Sequence, residues 1–150
     1  KVIVGYPKPN EERAIIDRMT GEELPIVNPV VSPAQILHAR EMVRRVYVDD
    51  KIKNYVLNLV LTTRDPGNNG LSDLRPFIAF GASPRAGINL VLAARAHAFI
   101  KGRGFVTPDD IKEVASDVLR HRVIVSYEAE AENVASADIV QRILDYTEVP

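Results

Sequence analysis

The chain contains no cysteine. Without thiols it can hold no disulfide, no thiolate metal site and no cysteine nucleophile, an absence that suits a reducing compartment and favours the cytoplasm. It also lacks an excess of either charge. Nineteen Lys and Arg against twenty Asp and Glu give a formal net charge of -1, so no global field draws it to nucleic acid or to an anionic membrane. Long apolar runs are missing too, because Arg95 and His97 interrupt the most hydrophobic segment before it reaches the roughly 18 residues that a membrane span needs. No G-x-x-x-x-G-K-[ST] loop occurs, and no apolar run ends in an Asp-Glu pair. The chain therefore carries neither the phosphate cradle nor the magnesium carboxylate of a P-loop nucleotide hydrolase, and is expected to be inactive alone. His38, His97 and His121 lie on separate predicted helices or their ends, and no metal site is expected.

What is present is an ordinary globular composition. In 150 residues, 46% hydrophobic and 26% charged, there is material for one substantial core. Lys1-Val2-Ile3-Val4 reads as a strand closed by Gly5, Tyr6 and Pro7. It has no partner in the turn and helix signals that follow, so the expectation is that its sheet lies upstream, in a longer protein. Asn10 is read as the cap of a first helix that ends near Gly21. Residues 21–31 interleave Pro25, Asn28 and Pro29 with apolar residues and read as an extended connector. The predicted organisation is 1–22 as the end of an α/β core, 23–31 as a connector, and 32–150 as a mainly α, helical-bundle domain.

Within that last stretch the helix signals are frequent. Ser32-Pro33-Ala34-Gln35 is a capping box with proline at the first helical position, with Ile36, Ala39, Val43 and Val46 on one face. Asp49 caps a helix whose Ile52, Tyr55, Val56, Leu59, Val60 and Thr63 form an apolar stripe. Thr107-Pro108-Asp109-Asp110 starts another, with Ile111, Val114, Ala115, Val118 and Leu119 inside, and Asp49-Asp50 and Asp109-Asp110 are explained by capping and the helix dipole. Ser136 caps the last, with Ile139, Val140, Ile143 and Leu144 inside. Phe77–Phe80 reads equally as an extended piece or a helical turn. Val123-Ile124-Val125 reads as a short strand, and Glu128, Glu130 and Glu132 as a solvated loop.

The most informative stretch is Gly81-Ala82-Ser83-Pro84-Arg85-Ala86. Ser83 as a cap and Pro84 at the first position start a helix that runs to near Lys101, with Ile88, Val91, Leu92, Ala96 and Phe99 predicted to face the core. Gly81-x-Ser83 resembles half of a nucleophile elbow. Arg85, however, stands where the second glycine would, and Pro84 has no N–H for an oxyanion hole. Arg85 places a cation in the first turn, where the dipole is already positive, at a cost of roughly 0.3–1 kcal/mol. That placement makes sense if an anion is shared, because helix N-termini bind anions and a guanidinium donates to phosphate in a bidentate fashion. An arginine lying over neighbouring apolar surface is the alternative.

Four blocks carry a resemblance. Lys1-Val2-x-Val4-Gly5-Tyr6-Pro7 with Glu11-Glu12, Gly81-Ala82-Ser83-Pro84-Arg85-Ala86, Gly102-Arg103-x-x-Val106-Thr107-Pro108-x-Asp110-Ile111, and Val118-Leu119-x-His121-Arg122 together resemble the C-terminal part of MoxR-type AAA+ ATPases. The resemblance implies a last core strand followed by a helical lid. It implies that Arg85 is the sensor-2 arginine approaching the γ-phosphate of ATP, with Pro84 and Ala86 beside it in the nucleotide site and Tyr6 bordering the adenine. ATP and Mg2+ as cofactors of the parent protein, a homo-oligomeric, hexameric ring, and protein clients with von Willebrand A-domain partners are implied in the same way. No nucleic acid or membrane insertion is implied. From the residues alone, a non-catalytic helical interaction module stays open as the rival reading.

Overall fold

Asp49 accepts the backbone N–H of Lys51 at 2.8 Å, satisfying one of the free donors at a helix start. The helix it begins has every third or fourth residue buried. In the computed structural model, which describes residues 1–21 and 26–150, that helix is one of seven among the described residues. They are α1 (Pro9–Met19), α2 (Pro33–Arg45), α3 (Asp50–Arg64), α4 (Pro84–Ile100), α5 (Pro108–Leu119), α6 (Tyr127–Ala131) and α7 (Ser136–Tyr146). Two short strands, β1 (Ile78–Phe80) and β2 (Ile124–Val125), pair antiparallel. The chain divides into two units, Val2–His38 and Ala39–Pro150, the larger also taking Lys1.

In the smaller unit, Val2–Val4 are exposed and form no strand. The predicted strand is absent because no hydrogen-bonded neighbour lies beside it among the described residues, and extended backbone without a partner has nothing to hold it. The first helix starts at Pro9 rather than after Asn10, with Lys8 at the cap position. Its free end is satisfied from within, the Glu11 carboxylate accepting the Lys8 N–H at 2.7 Å. The Ser32–Gln35 capping box forms as predicted, with bonds of 2.7 and 3.2 Å. The connector predicted at 23–31 falls partly on residues 22–25, outside the described residues; Ile26, Val27 and Val30 are exposed.

The core belongs to the larger unit. From α3 it takes Ile52, Tyr55, Val56, Leu59, Val60 and Thr63; from α5 Ile111, Ala115, Val118 and Leu119; and from α7 Ile139, Val140, Ile143 and Leu144. All of these lie on the predicted faces. At 25 cal/mol per Å2 of apolar area, each large side chain buried this fully contributes about 1.5–3 kcal/mol.

On α4 the predicted face is only partly right: Val91 is half-buried against the core, but its bulkiest members are not. Ile88 and Leu92 are 59% and 49% exposed, and Phe99 is also exposed, whereas Ala86, Leu90, Ala94 and Ala98 are buried. The reason is steric. This helix is packed more extensively against α5 than against any other element, and small residues such as Ala94 and Ala98, one turn apart, let two helices approach closely where Ile or Phe would hold them apart. Hydropathy alone favours the bulkier stripe.

Around this core, residues Ser72–Phe77 form a 3-10 turn that leads into β1, so Phe77–Phe80 is part turn and part strand. The strand predicted at 123–125 is present as β2. The predicted acidic loop is instead the short helix α6, because the Ser126 hydroxyl accepts the Ala129 N–H at 3.2 Å. Ser136 does not cap α7, whose cap position is Ala135. Its hydroxyl instead bonds the carbonyls of Arg120 at 2.7 Å and Val123 at 3.0 Å, fastening α7 to the end of α5.

Candidate functional site at the start of the fourth helix

Gly81 leaves β1 under a steric constraint. A Cβ built there would lie 2.3 Å from the backbone oxygen of Thr63, a distance no side chain can adopt, so only glycine lets the chain pass this close to the end of α3. Ala82, buried, is then held on both sides. Its N–H donates to Thr63 Oγ1 at 2.9 Å, and its carbonyl accepts from Arg64 Nε at 2.7 Å. Thr63 Oγ1 in turn donates to the Val60 carbonyl at 2.7 Å.

From this fixed point the chain turns into α4. Ser83 occupies the cap position with extended backbone, but its hydroxyl makes no capping bond; the predicted side-chain cap is not formed. Pro84 brings no N–H. Ala86 is fully buried, and its N–H donates to the Ser83 carbonyl at 2.9 Å. Its side chain therefore sits in the core and its donor is already used. Arg85 is exposed, and none of the ion pairs among the described residues includes it. Pro84 is also exposed. The first turn of α4 thus presents to solvent a guanidinium and a helix end without a side-chain cap, the electrostatics of an anion site. Tyr6, the residue implied at the adenine border, lies in the other unit and is fully exposed.

Beside Pro84, the outward faces of α3 and α4 enclose an apolar groove of about 470 Å3, lined by Leu57, Val60, Ile88, Val91 and Leu92 with Lys53 and Arg64 at its margins.

The opposite end of α4 holds a polar cluster that sequence reasoning missed. Gly102, at φ 73°, ends the helix in a left-handed turn, with the Gly102 and Arg103 N–H groups returning to the Phe99 and Ala98 carbonyls at 2.9 Å each. That turn delivers Arg103 to the start of α5. There its Nη1 and Nη2 reach the two oxygens of Asp110 at 2.7 and 2.5 Å. The same carboxylate meets His97 Nδ1 at 2.7 Å and accepts the Thr107 N–H at 2.8 Å. Asp110 is completely buried. Burial alone would push its carboxyl up, but the Arg103 guanidinium, the Thr107 amide and His97 together outweigh it and hold the group well below the ordinary carboxylate range. Capping explains only part of this residue. The signal that could have found the rest is the spacing Gly102-Arg103-x-x-x-Thr107-Pro108-x-Asp110, in which a turn glycine puts an arginine within reach of a cap-box aspartate. Further on, Arg122 Nη1 donates to the Val118 carbonyl at 2.6 Å, closing the end of α5.

A helical unit with a Ser-Pro-Arg helix start that follows a strand of a small two-stranded sheet and is fastened to a preceding helix has counterparts. Residues 72–143 match the family model described as the AAA lid domain, and an AAA lid is what this unit is. Over its whole length the chain is 39% identical to Chaperone MoxR1 of Mycobacterium tuberculosis, of which it spans 40%. It is also 38% identical over 79 residues, half of the chain, to Protein MoxR of Paracoccus denitrificans. A crystal structure of a candidate ATPase from Cytophaga hutchinsonii superimposes on 98% of the chain and 45% of that protein, with a TM-score of 0.92 at 36% identity. The chain belongs to the MoxR family of AAA+ ATPases, of which it provides the lid region, and it spans less than half the length of these relatives.

Proposed function

We propose that the full-length protein is an ATP-hydrolysing AAA+ machine and that this lid brings Arg85 to the γ-phosphate of the bound nucleotide as its sensor-2 residue. The carrying observation is the first turn of α4, where an exposed arginine outside every ion pair of the described residues stands at a helix start that its serine does not cap. A cation placed there at an electrostatic cost is accounted for by an anion that both the dipole and the guanidinium contact. ATP supplies the transferable phosphoryl group when bound. Arg85 offsets charge on its terminal oxygens, an effect that only matters while the lid holds it in place. Pro84 shapes the approach, and Ala86 anchors the turn from below by its burial. The turn carries no carboxylate, so Mg2+ accompanying the nucleotide would take its ligands from other parts of the full-length protein.

Hydrolysis would be coupled to lid rotation, and so to chaperone-like remodelling of client proteins by a homo-oligomeric ring. The name of the Mycobacterium tuberculosis relative supports that reading. A hexamer, von Willebrand A-domain partners and a cytoplasmic location belong to the same proposal. Among the described residues no helix is long and apolar enough to cross a membrane. Phosphate release by the full-length protein supplied with ATP and Mg2+ tests it, together with the mass of the assembly with and without nucleotide. Turnover and a nucleotide-dependent ring are expected; absence of turnover would overturn the reading. The second reading, a non-catalytic interaction module, draws on the apolar groove beside Pro84, and is favoured only by that negative outcome.

A further inference from the structure

We infer that Thr63 and Arg64, the last two residues of α3, are positioning residues for Arg85. The inference rests on the nucleotide-facing role of Arg85 proposed above. The peptide groups on either side of Ala82 are gripped by these two neighbours, the N–H by Thr63 Oγ1 at 2.9 Å and the carbonyl by Arg64 Nε at 2.7 Å. Thr63 is fully buried, and its hydroxyl is itself fixed by donating to the Val60 carbonyl. Gly81 presses against the Thr63 backbone with no room for a Cβ. Arg85 comes three residues after Ala82.

Because Ser83 makes no side-chain cap, the direction in which α4 leaves is set by this grip and not by the usual capping bond. Position matters more than strength here. An arginine acting on a transferring phosphoryl must be held within a fraction of an ångström, and a misplacement of about 1 Å can cost on the order of a hundredfold in rate. Tying the end of α3 to the start of α4 also means that a rotating lid carries Arg85 with it instead of leaving it on a loose loop. Arg64 is exposed and contributes little to the core, so its bond to Ala82 is an orienting contact.

Steady-state ATP turnover of the full-length protein tests this in Arg85→Ala, Thr63→Val, Thr63→Ser and Arg64→Met, with the first combined in turn with Thr63→Val and Arg64→Met. Valine keeps the shape of threonine and loses the oxygen; serine keeps the oxygen. Thr63→Val and Arg64→Met are expected to lower kcat roughly tenfold or more, while Thr63→Ser stays at the wild-type rate. Each double variant should be no slower than Arg85→Ala alone, since residues acting through one group are not additive. Should Thr63→Val fail to fold, Arg64→Met, altered only at an exposed position, carries the same comparison. Wild-type turnover in Arg64→Met beside a slow Arg85→Ala would overturn the inference and leave the nucleotide reading standing, as would equal slowing of the wild-type and Arg85→Ala backgrounds. Unchanged turnover in Arg85→Ala would overturn the nucleotide reading itself, and this one with it.

Discussion

Replacing Asp110 by asparagine removes one charge from the junction of α4 and α5 while keeping size and one acceptor. The asparagine oxygen, set in place of Oδ2, can still take the Thr107 N–H and Arg103 Nη1, but the amide NH2 set in place of Oδ1 offers no acceptor to Arg103 Nη2 or to a His97 Nδ1–H, and the negative charge that offsets the Arg103 guanidinium is gone. Breaking a buried ion pair from one side costs about 3–5 kcal/mol when the remaining charge stays buried. The Arg103 side chain is 30% exposed, so water recovers part of that and about 2–3 kcal/mol is expected. For a unit of this size each kcal/mol moves the melting temperature by roughly 4–8 °C, so circular dichroism should show a drop of about 10–20 °C. Asp109→Asn is the internal control. Asp109 is exposed, and its loss should stay within about 0.5 kcal/mol. Melting of Asp110→Asn within about 2 °C of the wild type would refute the view that this cluster holds the two helices together.

Three further outcomes follow from the same structure. The depressed Asp110 carboxyl adds stability at every pH above its ordinary value near 4 and surrenders it as pH falls toward its folded value. Melting temperature should therefore be level from about pH 7 to 5 and fall below about pH 4, less steeply in Asp110→Asn; a rise on acidification would contradict this. Gly81→Ala must push against the Thr63 backbone and should cost about 1–3 kcal/mol in thermal or urea unfolding; no measurable loss would contradict the close approach. On α4, Leu90→Ala should cost about 2–5 kcal/mol while Ile88→Ser stays within about 0.5 kcal/mol, and the reverse order in urea titrations would restore the bulky stripe as the core face.

Much of this lid was legible because its information is local. Asp49, Thr107 and the Ser32 box mark helix starts, and in α3, α5 and α7 the largest apolar residues are also the ones buried, so period and burial agree. On α4 they part company. Ile88, Leu92 and Phe99 outrank Ala86, Ala94 and Ala98 in hydropathy, yet the closeness of α5 selects for small size, a property of the pair of helices that one helix does not reveal. Asp110 was legible as a cap and illegible as an ion-pair centre, since its partners His97 and Arg103 come from the far side of a turn whose hand is set by Gly102. Arg85 stood out because its charge opposes the local dipole, but the grip of Thr63 and Arg64 on Ala82 joins residues nearly twenty apart and leaves no periodic trace. The start of the chain reads as a strand by composition, and a strand exists only where another completes it.

The central claim is that Arg85 acts on the terminal phosphate of bound ATP. Its most direct test is the ATP turnover of the full-length protein with Arg85→Ala against the wild type, at saturating nucleotide. A loss of turnover of two orders of magnitude or more, with the assembly intact, is the predicted result; equal turnover in the two proteins would contradict it.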